Sequence, residues 1–351
     1  MSRPDRKRLV VLAKIVLAGA LLAWLFSGAH WHDYRAADET GRLVEHKGLR
    51  TTLKQAHPGW MAGAIVLWTA SLAAAGVRWR QLLAAQNVEV GLAAALKLTV
   101  LGEFVSLVVP GTVGGDAVKA YSVMKTTPGK SAVLVATAAD RLIGLCCLVC
   151  LALVMLIVTL ALGSISGQAL TVAGVSIALA AGAVGAALAL LLSPSLRRVS
   201  GLRRLLSHPR LRKYVAGASH AVNVLRRPRV LAKGAAVSVL SQGLQICAVL
   251  AIGSALGLAV EWYRYFLYVP IIFIVAAVPL TPGGLGVAEQ LYVAYLAQAG
   301  GAGGVLALAI LARLVWIVCI LPGAAVLVLG PRLPPAETIR TELAAAEAKA
   351  L

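Results

Sequence analysis

Six apolar runs, at 9–27, 60–77, 143–162, 169–193, 232–257 and 305–329, decide what this chain can fold into. A helix needs roughly 20 apolar residues to cross the ~30 Å hydrocarbon layer, and each run is about that long. They are continuous rather than striped, so they do not read as one-sided helices of a water-soluble core. Composition agrees: 60% of the 351 residues are hydrophobic and 13% charged, with a mean hydropathy of +0.85. Soluble domains carry about 25% charge. Lipid is the solvent.

The net charge of +19 invites a nucleic-acid partner, but its placement argues otherwise. Ten basic residues and no acid fall between Leu196 and Val230, and Arg3, Arg6, Lys7 and Arg8 precede the first run. Short basic segments beside apolar spans stay on the cytoplasmic side and meet anionic lipid. The expected place is therefore a bacterial inner (cell) membrane, with both termini cytoplasmic and no nucleic acid bound. Run 9–27 is too long for a signal peptide's apolar region and reads as an uncleaved span. In the loop 28–59, Leu43, Leu49 and Leu53 are spaced for a short interfacial helix within Gly41–Gln55. Five cysteines, Cys146, Cys147, Cys150, Cys247 and Cys319, lie within apolar runs and read as small packing residues. The six histidines have no ligand spacing, so neither a metal nor another cofactor is expected.

Two further apolar regions, 92–124 and 264–298, are broken near their centres. The first contains Pro110-Gly111-Thr112-Val113-Gly114-Gly115-Asp116. The second contains Pro282-Gly283-Gly284-Leu285-Gly286-Val287-Ala288-Glu289. Proline removes a backbone donor and glycine permits tight turns, so no helix is expected to run through either cluster. Irregular backbone at membrane depth survives only where protein or a cavity surrounds it. Both regions read as re-entrant helical hairpins, and loop charge makes them enter from opposite faces.

The two hairpins share one offset. Pro110 to Pro282 is a step of 172 residues, as is Arg141 to Arg313. Each cluster ends in an acid, Asp116 or Glu289. The expected fold is an all-α polytopic bundle of about six full spans plus two re-entrant hairpins, arranged as an inverted-topology repeat. Residues 1–165 form the first repeat and 166–331 the second, with a basic cytoplasmic loop at 194–231 and a tail at 332–351.

Charges inside hydrocarbon cost at least about 2.5 kcal/mol each, so each needs a partner or a purpose. Glu103, Asp116, Asp140, Arg141, Glu289 and Arg313 are such residues. Arg141 is expected to open its span near the cytoplasmic face, with Arg313 a third of the way into the last one. Guanidinium suits a lipid phosphate, and the acids suit a counter-charge, a cationic head group or a proton. The alternative is that Arg141–Asp116 and Arg313–Glu289 are plain buried ion pairs. Pro110, Gly111, Gly114, Gly115, Pro282, Gly283, Gly284 and Gly286 are the hairpin breaks, which shape a substrate path or only allow close packing. No nucleophile motif, phosphate loop or intramembrane histidine suggests an enzyme.

Arg78-Trp79-Arg80-Gln81-Leu82-Leu83, the run Val109–Asp116, Asp140-Arg141-Leu142 and Thr281-Pro282-Gly283-Gly284-Leu285-Gly286 resemble the transmembrane region of lysylphosphatidylglycerol synthases. The likeness to this flippase-like domain family extends over about residues 9–330. In fused members the region is taken to translocate aminoacylated phosphatidylglycerol while a separate soluble domain makes it. The resemblance thus implies a lipid flippase without aminoacylation, whose partners are an anionic or aminoacylated phospholipid or an isoprenoid lipid. Thr112 stands where a third glycine often does, a local departure. Two other functions fit the sequence: a scaffold subunit beside a lipid-synthesis enzyme, or a membrane-embedded lipid transferase.

Overall fold

The computed structural model describes residues 31–37, 43–46, 49–108, 113–164, 167–192, 227–278, 281 and 284–329. The predicted first span 9–27, most of the basic loop, the tail, and Pro110, Gly111, Pro282 and Gly283 lie outside these.

Eleven helices and two short strands make up the described chain. Strands β1 (Tyr34–Ala37) and β2 (Leu43–His46) pair antiparallel, with Tyr34 opposite His46. Helix α1 (Leu49–Lys54) comes next. The predicted interfacial helix is therefore shorter than expected. Leu43 belongs to a strand whose β-branched neighbour Val44 suits the pleat, and only Leu49 and Leu53 lie on the helix.

The bundle proper begins at α2 (Pro58–Ala84) and continues through α3 (Leu92–Val108), α4 (Val113–Met124), α5 (Lys130–Ala161) and α6 (Gly167–Leu192). After the basic loop come α7 (Pro228–Ala255), α8 (Trp262–Ala276), α9 (Val287–Gly300), α10 (Ala302–Ile320) and α11 (Pro322–Leu329). Four segments are long and apolar enough to cross a membrane: Pro58–Ala84, Lys130–Ala161, Pro228–Ala255 and Ala302–Val328. Shorter apolar stretches are Leu170–Ala186 and Trp262–Ala276. The protein is an all-α, multi-pass membrane protein. Its outer surface fits that solvent: Val154, Ile157 and Leu160 on α5, and Val172, Val175 and Leu179 on α6, are all exposed.

One boundary is corrected. The apolar run 143–162 belongs to a helix that starts at Lys130, so Arg141 lies three turns inside α5 rather than at its opening. Ala and Val between 132 and 139 are apolar enough to carry the helix past the charged Asp140-Arg141 pair. In the last segment, Pro322 divides α10 from α11, because proline cannot continue the α10 hydrogen-bond ladder.

Both predicted breaks separate helices that pack back on one another. Helices α3 and α4 approach so closely that a Cβ on Gly115 would lie 1.9 Å from the Gly102 carbonyl oxygen. Between α8 and α9, Gly284 and Gly286 have φ of +69° and +79°, backbone that a side chain disfavours.

The helices recur in order. Pro58 to Pro228, and Leu92 to Trp262, are each a step of 170 residues; Lys130 to Ala302 is 172. Turn geometry repeats too. Asn87 (φ +58°) and Gly257 (φ +64°) stand 170 apart. The Val88 amide donates to Leu83, and the Leu258 amide to Gly253, again 170 apart on both sides. Helices α2 and α7 lie side by side at the centre, where Ser71 Oγ and Ser241 Oγ are 3.3 Å apart. A residue touching its own counterpart is what a two-fold relation between halves produces.

Candidate functional site

Where α2–α5 meet α7–α10, the bundle forms a half-open cavity of about 300 Å³. All six charged residues singled out from the sequence line it: Glu103, Asp116, Asp140, Arg141, Glu289 and Arg313. Residues more than 170 positions apart are thus brought to one place. Arg78 and Lys119 also line it, and neither was among the six charges singled out from the sequence. Arg78 entered only as the first residue of the Arg78–Leu83 motif, not among the intramembrane charges. Its spacing gave the missing signal: Ser71, Ala75 and Arg78 recur at helical intervals and all reach the cavity. Arg80, two residues on, points elsewhere and donates to the Val90 carbonyl at 3.0 Å.

On the first half, an ionic ladder joins α2, α4 and α5. Arg78 Nε donates to Asp140 Oδ1 at 2.7 Å, and its Nη1 to Ser238 Oγ at 2.7 Å. Gly144 leaves room for this guanidinium, since a Cβ there would lie 3.6 Å from both terminal nitrogens. Lys119 Nζ bridges Asp140 at 3.7 Å and Asp116 at 3.8 Å, and sits 4.3 Å above the Trp79 ring. Asp116 also accepts from Arg141 Nε. Arg141 uses one donor there, and its side chain remains 46% exposed. Glu103 makes no hydrogen bond or ion pair with any of the described residues.

The second half holds its pair more tightly. Glu289 Oε1 accepts from Arg313 Nε at 2.8 Å, and Oε2 from the Gly286 amide at 2.8 Å. Arg313 Nη2 donates to the Gly284 carbonyl at 3.2 Å and stacks near Trp316, 5.4 Å from the ring centre. The side chains are 14% and 5% exposed. Both carboxylate oxygens are committed, so this pair ties the glycine turn to α10. Gly114 and Gly115 sit in the first turn of α4, and Gly115 is buried. Asp116 and Glu289 fall in the first turns of α4 and α9, where the helix dipole favours a negative charge. That explains why an acid closes each glycine cluster.

Four cations and four acids therefore face one another around one cavity. Such a set costs too much desolvation to be simply a stabilising device. Chemically, the open part of it is the Arg141 guanidinium with Lys119 behind it, which suits an oxyanion with two or more free oxygens.

Among curated proteins none matches the chain. The family model described as lysylphosphatidylglycerol synthase TM region matches residues 11–323, which includes every helix that lines the cavity. The chain belongs to the lysylphosphatidylglycerol synthase transmembrane-region family.

Proposed function

We propose that the protein moves a phospholipid, or another lipid with a phosphate-bearing head group, between the leaflets of the cell membrane. The observation that carries this reading is the charged cavity lying between two recurring four-helix units, with the Arg141 side chain open to it. A head group crossing hydrocarbon needs a polar site at depth to replace its water. Units that recur with a broken helix at corresponding places are how many transporters build such a site. Here the units are α2–α5 and α7–α10, related as inverted repeats, with α3–α4 and α8–α9 as re-entrant hairpins from opposite faces. Rocking of one unit on the other along α2 and α7 would open the site to each leaflet in turn. The phosphate takes the free donors of Arg141 and competes with Asp116 for Lys119.

Purified protein in liposomes carrying a head-group-labelled phospholipid tests this. The labelled lipid should become accessible to an impermeant quencher faster than in protein-free vesicles. Arg141→Ala should slow it at least about tenfold, the loss of one charge-assisted contact. Equal rates with and without protein would refute translocation, and appearance of a chemically new lipid would point to a transferase.

A further inference from the structure

The first half of the cavity presents three cations, Arg78, Lys119 and Arg141, and three acids, Glu103, Asp116 and Asp140. Among the described residues, the ion pairs run to only two of those acids. Asp140 takes Arg78 and Lys119, and Asp116 takes Lys119 and Arg141. Glu103, on α3, is the third acid and shares none of these pairs. The second half has no such surplus, because Arg313 and Glu289 close on each other. At the step of 170 that relates α3 to α8, Glu103 corresponds to Phe273, which also lines the cavity. The third acid is thus an addition to one half and not part of the recurring frame.

Helices α2, α4, α10 and α11 pack against α3. Towards the cavity they bring Arg78 from α2, Asp116 and Lys119 from α4, and Arg313 from α10. Tyr121 of α4 lies in one buried cluster with Leu101 and Val105 of α3, and α11 carries no ionisable side chain. Asp140 and Arg141 reach the same cavity from α5, and Glu289 and Tyr292 from α9. Lys97, the other charged residue of α3, is exposed. With every carboxyl ionised, the four cations and four acids cancel. An entering phosphodiester then adds one uncompensated negative charge where the dielectric is low. A proton on Asp116, Asp140 or Glu289 would cancel it only by breaking an ion pair. Glu103 takes a proton at the cost of no pair among the described residues. In the empty site the ionised Glu103 balances the third cation, and in the loaded site the anion does so.

We infer that Glu103 binds a proton that accompanies the anionic ligand, so that the two cross the membrane together without net charge. This rests on the lipid-translocation reading and names the ion that moves with the lipid. The proton enters from water on the side to which the cavity opens. It sits on a Glu103 carboxylate oxygen while the anion lies on Arg141 and Lys119, and it leaves to water on the far side.

Dimethyl phosphate, a phosphodiester that stays monoanionic, is the soluble probe. Calorimetry of its binding to the purified full-length chain, repeated in buffers of different ionisation enthalpy, counts protons. About one should be taken up per anion, and affinity should rise by up to about tenfold per unit as pH falls, since the loaded site holds the extra proton. Glu103→Gln is neutral at every pH, so its binding should take up no proton and show no such pH dependence. Binding without proton uptake anywhere between about pH 5 and pH 9 overturns the inference even if the variant cannot be purified. Uptake that persists unchanged in Glu103→Gln overturns it as well. So does binding that requires added ethylammonium and takes up no proton, because the third acid then receives a cationic group. In liposomes with a pH gradient, a head-group-labelled anionic phospholipid should accumulate in the leaflet on the alkaline side, by up to about tenfold per unit, beyond protein-free vesicles. A potassium diffusion potential alone should not drive it. If protons are taken up with dimethyl phosphate but no lipid moves, only the translocation reading fails. If lipid moves and ignores the gradient, only the proton coupling fails. If dimethyl phosphate does not bind the unaltered protein at any pH, both fail.

Discussion

Arg141 and Arg313 hold corresponding places in the two halves, yet their surroundings assign them different tasks. Arg313 is 14% exposed and engages Glu289 and the Gly284 carbonyl, so it fastens a turn. Arg141 is 46% exposed and among the described residues pairs with Asp116 alone, which has Lys119 as a second cation. Substituting Arg313 by Ala strands a buried carboxylate, at a cost of about 3–5 kcal/mol. Substituting Arg141 by Ala leaves Asp116 partnered by Lys119, so the loss should be smaller. Thermal unfolding in detergent should therefore separate them, with a large drop for Arg313→Ala and a small one for Arg141→Ala. Adding Glu289→Gln to Arg313→Met should restore much of the loss, since a neutral amide still accepts from the Gly286 amide. Equal destabilisation by the two single substitutions would contradict the division of roles. The sequence showed these two arginines and their acids because charge in an apolar run stands out. It hid Arg78 and Lys119, which sit where a span and a broken region run toward polar ends, and there a basic residue looks like a solvated flank.

At the level of helices, the glycine clusters do two separate things. In the second, Gly284 and Gly286 adopt left-handed backbone. In the first, Gly115 is helical, and its value is the space it leaves: a Cβ would lie 1.9 Å from the Gly102 carbonyl oxygen and 2.2 Å from Ser106 Oγ. Backbone cannot yield as a side-chain tip can, so Gly115→Ala should push α3 and α4 apart. The expected cost is about 1–3 kcal/mol, with overpacking as its cause. Because Asp116 and Lys119 ride on α4, phosphate binding should weaken as well. Gly114→Ala, on a position only partly buried, provides the comparison and should cost less. A melting temperature and phosphate affinity for Gly115→Ala matching those of the unaltered protein would rule out this close packing. The outer limits of the first broken region, 92–124, were legible to the residue, because polar turns bound it on both sides. The start of α5 was not, since the alanine-rich chain before Asp140-Arg141 is less hydrophobic than the leucine-rich chain after it and yet equally helical.

Across the whole molecule, the recurrence was visible in the sequence only as two coincident offsets, Pro110–Pro282 and Arg141–Arg313. Pro110 and Pro282 lie outside the described residues, so the structure carries the relation on other features: the order of four helices, the left-handed positions Asn87 and Gly257, and the Ser71–Ser241 contact. These resist reading from sequence because a helix start or a turn conformation tolerates many residues, as Asn87 and Gly257 themselves illustrate. The recurring units begin at Pro58 and Pro228, and α6 precedes the second of them. Inversion of the units has a consequence that stability measurements cannot mimic. The α2–α3 and α7–α8 turns correspond, and each exposes an acid, Glu89 or Glu261. If the units are inverted, these turns face opposite sides of the membrane; if they are related by rotation about the membrane normal, both face the same side. Replacing the five cysteines and introducing Glu89→Cys or Glu261→Cys lets an impermeant maleimide distinguish the two in sealed, oriented vesicles. By the charge rule the α2–α3 turn, beside Arg80, is expected on the cytoplasmic side. Labelling should then reach Glu261→Cys from outside and Glu89→Cys only after the vesicles are opened, whereas labelling of both from one side would exclude inverted repeats and the alternating access built on them.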